Sequence, residues 1–146
     1  MKILISACLL GVKCRYDGKG QANPEILKLA ERHELVPVCP EQLGGLPTPR
    51  PPAEIAGNRC LNKAGADVTE AFSRGAEQAV YLAQALGCQV AVLKSRSPSC
   101  GTGWVYDGSF SKKLIPGDGF CARALREAGI RVFSDESDEK MDLLER

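Results

Sequence analysis

Seven cysteines stand at positions 8, 14, 39, 60, 88, 100 and 121 of a 146-residue chain that contains one histidine. The thiolate is the form of cysteine that attacks electrophiles and ligates metals, so the count raises the question of which thiols act together. No Cys-x-x-Cys occurs, which removes the zinc ribbon. A disulfide framework belongs to short secreted chains. Residues 1–10 carry one lysine and a short apolar run, but Gly11 ends it and Lys13, Cys14 and Arg15 follow without a small-residue cleavage site. The segment therefore reads as mature sequence and the protein as cytoplasmic. In a reducing compartment, metal binding or catalysis accounts for some of the cysteines and packing for the rest. A phosphate-wrapping loop would need an arginine six residues after Cys8; that position is Cys14, and the arginine is Arg15.

Cys100 has informative surroundings. It lies in Ser97-Pro98-Ser99-Cys100-Gly101, a loop composition directly after the apolar run 89–93. Similar apolar runs at 2–6, 35–38 and 130–133 read as strands, with Pro37 weakening the second. Asn23 as N-cap and Pro24 at the first helical position open a helix to about residue 33. Asp67 and Glu70 form a capping-box-like start to a helix that Gly87 ends, with Phe72, Ala76, Ala79, Val80 and Ala83 on one face. Asp118 starts a further helix closed by Gly129, and Ser134 caps a last acidic one. Between these lie a long Gly/Pro-rich loop at 39–52, a small hairpin at 54–64 and an irregular or two-stranded segment at 104–110. Strands alternating with helices predict an α/β fold: one compact three-layer, Rossmann-like domain over 1–146, with a mainly parallel sheet and a small hairpin insertion.

In that arrangement Cys8, Cys39 and Cys100 each follow the carboxyl end of a strand, where doubly wound sheets form their ligand crevice. Three thiolates suit a zinc ion with one open position. They equally suit an iron–sulfur cluster, which is normally held by four cysteines and would here keep one iron free. Glu41, two residues after Cys39, is a candidate proton carrier, and Ser97 and Ser99 flank Cys100. Cys88 and Cys121 read as packing, and Cys60 has no evident partner. Cys14 is open between a fourth ligand, a sulfur acceptor and a structural thiol. His33 reads as a surface or packing residue. Lys13, Arg15, Arg50, Lys94 and Arg96 flank the same loops and suit an anionic or polar substrate. With 19 basic and 18 acidic residues the net charge is +1, so no bulk attraction to nucleic acid is expected. No apolar stretch is long enough for a bilayer.

Three segments together resemble a known family: Cys8-Leu9-Leu10-Gly11 with Cys14-Arg15-Tyr16-Asp17-Gly18, then Cys39-Pro40-Glu41 running to Arg50, then Arg96-Ser97-Pro98-Ser99-Cys100-Gly101. In this order they resemble the TudS-type thiouracil desulfidases across essentially the whole chain. The resemblance implies a [4Fe–4S] cluster held by Cys8, Cys39 and Cys100, with the fourth iron open to the sulfur of a thiolated pyrimidine base or nucleoside. It also implies Glu41 and Ser97 as the proton-handling residues, and a non-redox reaction in which water attacks the ring carbon to give uracil and hydrosulfide. A zinc-dependent hydrolase and a non-catalytic sulfur or metal carrier are the competing classes.

Overall fold

The computed structural model describes residues 1–139. Four parallel strands form the central sheet: β1 (Lys2–Ser6), β2 (Glu34–Val38), β5 (Val90–Leu93) and β8 (Arg131–Ser134), in the spatial order β2-β1-β5-β8. Both faces are covered, so β1 and β5 read as unbroken apolar runs rather than alternating ones. Leu4, Ala91 and Leu93 face one core with Phe72, Ala76, Ala79 and Leu125, while Ile3, Ile5, Val90 and Val92 face another with Leu9, Ile26 and Leu29. This is the three-layer, Rossmann-like α/β architecture that the alternation of elements predicts. Pro37 is accommodated because β2 is an edge strand, where a missing ladder donor costs little.

The first layer holds α1 (Pro24–Leu27), which tightens into a 3-10 turn over Lys28–Glu31. Asn23 caps it as predicted, its side chain accepting the N–H groups of Glu25 and Ile26. The opposite layer holds α3 (Thr69–Leu86) and α4 (Phe120–Glu127), joined by an edge-to-face contact of Phe72 with Phe120 at 5.9 Å. Two antiparallel hairpins complete the fold: β3 (Ala53–Ala56) with β4 (Arg59–Asn62), and β6 (Trp104–Tyr106) with β7 (Leu114–Pro116).

Three local expectations need correction. The Gly/Pro-rich segment 39–52 contains a short helix, α2 (Pro40–Leu43), with Cys39 as its N-cap residue. No capping box forms at α3: Asp67 accepts the Thr69 N–H at 2.9 Å, and the Thr69 hydroxyl is drawn to the Cys60 N–H at 2.8 Å. At α4 the N-cap is Gly119 rather than Asp118, whose carboxylate instead accepts the Gly103 N–H and pairs with Arg126. The acidic helix expected after Ser134 falls mostly on residues outside the described ones.

The helices α2 and α3 meet backbone to backbone. A Cβ on Gly44 would stand 1.9 Å from the Ala71 carbonyl oxygen, and one on Gly75 would stand 1.8 Å from that of Pro40. Glycine in a helix interior is unfavourable by itself; here the close approach requires it, and it seats α2 with Cys39 and Glu41 against the core. Gly75→Ala is therefore expected to lower stability by about 3 kcal/mol through overpacking, despite alanine's better helix propensity. Urea denaturation checks this, and an unchanged or raised midpoint would contradict the contact.

Candidate active site

The strand order reverses between β1 and β5, and a cavity of about 430 Å³ opens at the carboxyl ends of these strands and β2. Its lining includes Cys8, Cys14, Cys39 and Cys100. Cys8 sits in the 3-10 turn Ala7–Leu10 that follows β1, Cys39 heads α2, and Cys100 belongs to the loop after β5. All seven cysteines are free thiols. Cys60, Cys88 and Cys121 belong to the core against α3 and α4, the packing role read for Cys88 and Cys121. Cys14 belongs with Cys8: it is 2% exposed, packs in the same core, and its carbonyl accepts the Cys39 thiol at 3.7 Å.

The Cys100 loop is held by main-chain hydrogen bonds. The first turn of α4 has no side-chain cap; instead the N–H groups of Gly119, Phe120 and Cys121 donate to the carbonyls of Gly101, Pro98 and Ser99 at 2.7, 2.9 and 2.8 Å. Orphan donors of a helix N-terminus thus take the loop's carbonyls, which fixes loop and helix together. Inside the loop the Ser97 hydroxyl accepts the N–H groups of Ser99 and Cys100, both at 3.1 Å. It also lies 3.0 Å from the Ser99 hydroxyl.

Glu41 joins this loop to the others. Its Oε2 accepts the Ser99 hydroxyl at 3.2 Å and its Oε1 the Nε–H of Arg50 at 3.0 Å. Arg50, counted from sequence among the charges flanking these loops, lines the cavity and is buried, with its side chain 4% exposed. It donates further to Pro47 O, Thr48 Oγ1 and Cys14 O at 3.1, 2.9 and 2.9 Å. Lys13 does not line the cavity, whereas Arg15, Lys94 and Arg96 do; the last two pair with Asp135 and Glu136.

Cys14, Cys39 and Cys100 are poor nucleophiles as they stand. Burial pushes Cys100 up to about 12, against the opposing hydrogen bonds from Ser6 and Ser99. Cys39 is raised far above the ordinary thiol range by its hydrogen bond with Cys14 and by burial. For Cys14, Cys39 acts to lower the value, but Cys8 and burial outweigh it and leave it raised. Such thiols give up their protons to a bound cation. The donor set is sulfur alone, the choice of soft metals and iron–sulfur clusters. Among the described residues no three His, Cys, Asp or Glu side chains group closely enough for a single ion. Sulfur donors lining one cavity are the set that an iron–sulfur cluster takes, so these residues fit the cluster that the resemblance implies.

The family model for 2-thiouracil desulfurase matches residues 3–137. The chain belongs to the 2-thiouracil desulfurase family. A solved structure named as a [4Fe-4S]-dependent thiouracil desulfidase, TudS, superposes with a TM-score of 0.91 at 44% identity, covering 97% of this chain and 95% of that one. A Bacillus subtilis (strain 168) protein, the uncharacterized YbbK, is 42% identical over 143 residues, covering 91% of this chain and 95% of its own length.

Sequence reasoning named Cys8, Cys39, Cys100, Glu41 and Ser97, and the structure gathers all five at this cavity. It missed the buried Ser6, whose hydroxyl accepts the Lys94 N–H at 2.9 Å and neighbours the Cys100 sulfur. It placed Ser99 beside Cys100 without linking it to Glu41, although Ser99 is the hydroxyl that touches Glu41. The only sequence sign of either was a serine beside a cysteine or at a strand end. Arg50→Met should lower stability by about 3–5 kcal/mol, because it strands the Glu41 carboxylate without its partner. Chemical denaturation of the cluster-free chain reads the loss directly; a change below 1 kcal/mol, on the order of an exposed pair, would show the knot to be dispensable.

Proposed function

We propose that this protein removes sulfur from a thiolated pyrimidine base or nucleoside, of the 2- or 4-thiouracil kind, without net redox chemistry. One water replaces the sulfur: the thiocarbonyl and water give the uracil carbonyl and hydrosulfide, with one proton released. Cys8, Cys39 and Cys100 would hold a [4Fe–4S] cluster by its three protein-bound irons. When bound, the cluster supplies a soft Lewis acid at the iron without a protein ligand, matched to a thiocarbonyl sulfur rather than to oxygen. The free-thiol ligand set suits a reducing compartment, here the cytoplasm, and among the described residues no helix is long and apolar enough to cross a membrane.

The chain's own residues handle the proton. Glu41 is anchored through one carboxylate oxygen by Arg50 and through the other by Ser99, so its position is fixed before substrate arrives. In this role it accepts the proton of the attacking water. Ser97 and Ser99 stand in line with it, hydroxyl to hydroxyl at 3.0 Å and hydroxyl to carboxylate at 3.2 Å. That chain can carry the proton from Glu41 towards the departing sulfur, with Ser97 as the outer member. The carboxylate and the cysteines lining one cavity are the single observation that carries the reading. A carrier or sensor would need an exposed, reactive thiolate and no base beside it.

After anaerobic reconstitution, wild type should hold about four iron and four acid-labile sulfide per chain, the content of one cubane cluster, and should turn thiouracil into uracil and sulfide. Cys100→Ser should lose the cluster's visible absorption. Glu41→Gln should keep iron, sulfide and spectrum while slowing turnover by about 10²–10⁴-fold, the usual worth of a positioned base. Full iron content with no sulfide release from any thiolated pyrimidine would reject the reading; so would full activity in Glu41→Gln.

A further inference from the structure

Tyr106, Phe110 and Lys112 line the same cavity as the cysteines, and none has a task in the chemistry above. Phe110 and Lys112 belong to the loop that joins β6 to β7, and that loop is held in an unusual backbone shape. Phe110 has φ 57° and Lys112 φ 63°, a region that residues with a Cβ rarely adopt. Glu54 of β3 enforces it: its Oε1 accepts the N–H of Gly108 at 3.0 Å and that of Phe110 at 3.1 Å. The loop also presses on β3 so closely that a Cβ on Gly108 would stand 2.9 Å from the Ile55 carbonyl oxygen. The Asp107 N–H closes the loop onto Lys113 O at 3.0 Å. Strained backbone held by a dedicated carboxylate at the wall of a cavity marks a place where one side chain must be presented in one way.

The side chain presented is a phenyl ring, with no polar atom to offer. Of the other aromatic residues in the lining, Tyr16 is 42% exposed and has the Arg15 guanidinium over its ring at 5.9 Å. Phe110 is half-buried and offers an apolar face. Such a face binds a flat heteroaromatic ring by stacking and does little for a small thiocarbonyl compound without one. We propose that Phe110 is a specificity-determining residue that stacks on the thiolated pyrimidine ring, and that Glu54 is a positioning residue that holds it there. This rests on the desulfidase reading and goes beyond it, in assigning ring selection to the β6–β7 loop, outside the cysteine motifs.

The test uses cluster-loaded protein with iron content matched between variants. Phe110→Ala, and Phe110→Leu as the variant that keeps apolar volume without a ring, should each weaken 2-thiouracil and uracil binding by about tenfold in calorimetry, the scale of one lost base–aromatic stack. KM should rise by a similar factor while kcat changes less than threefold. The inhibition constant of thiourea, a thiocarbonyl without a ring, should stay put, and Phe110→Tyr should bind as wild type does. Glu54→Ala should follow Phe110→Ala, whereas Glu54→Gln, whose amide oxygen can accept the same two N–H groups, should restore binding. Unchanged uracil affinity in both Phe110 variants, or equal losses for thiourea and thiouracil, would overturn the proposal. Wild type that binds 2-thiouracil yet releases no sulfide would overturn the desulfidase reading alone, since the binding comparison still decides the role of Phe110.

Discussion

The site depends on one buried guanidinium. Arg50 is withdrawn from water, and a charge so placed is tolerated only when it is paired and hydrogen-bonded. Its partners come from two chain segments: Glu41, Pro47 and Thr48 from the segment after β2, and Cys14 from the loop after β1. Because Glu41 also receives Ser99, the third cysteine loop is drawn into the same knot. Three loops that leave three different strands are thereby fixed relative to one another by a single network. The desolvation cost of the guanidinium makes any slackening of these loops expensive, so Cys14, Glu41 and Ser99 are held in one fixed arrangement.

The second constraint is the burial of thiols. Cys100 lies in apolar surroundings that disfavour its thiolate, with hydroxyls of Ser6 and Ser99 as the local compensation. Such a thiol is a weak nucleophile, and its protonation works against metal-free reactivity. A cation reverses the balance, since the charge that burial penalises is then neutralised at the sulfur. On the proposed ligation by Cys100 the same hydroxyl donors would tune the cluster, because hydrogen bonds to ligand sulfur are among a protein's means of doing so. Ser99 serves both sides of the site, lying 3.7 Å from the Cys100 sulfur and 3.2 Å from Glu41. Its one hydrogen cannot satisfy both at once, so a change of charge at either partner is felt at the other.

Much of this is legible in the sequence. The apolar runs gave all four strands of the main sheet, Asn23-Pro24 and Gly87 marked a helix start and a helix end, and the placement of Cys8, Cys39 and Cys100 after strands pointed to a common crevice. These signals are local: they depend on periodicity and on backbone preferences that neighbours in sequence decide. The misreadings share one cause. Asp67 and Asp118 look like caps, yet the first holds a turn ahead of α3 and the second pairs with Arg126. The donors at the start of α4 are taken by carbonyls of the Cys100 loop, a partner that no local rule names.

By itself, then, the sequence determined the α/β class, the strand-end positions of the three cysteines and the family to which the chain belongs. Tertiary structure decided the rest: that Arg50 is a buried strut between loops, that Ser99 rather than Ser97 touches Glu41, that Gly44 and Gly75 permit two helices to meet, and that Glu54 shapes the loop of Phe110. Each of these is a contact between segments far apart in the chain. Its energy comes from desolvation and close packing, which exist only once the parts are brought together.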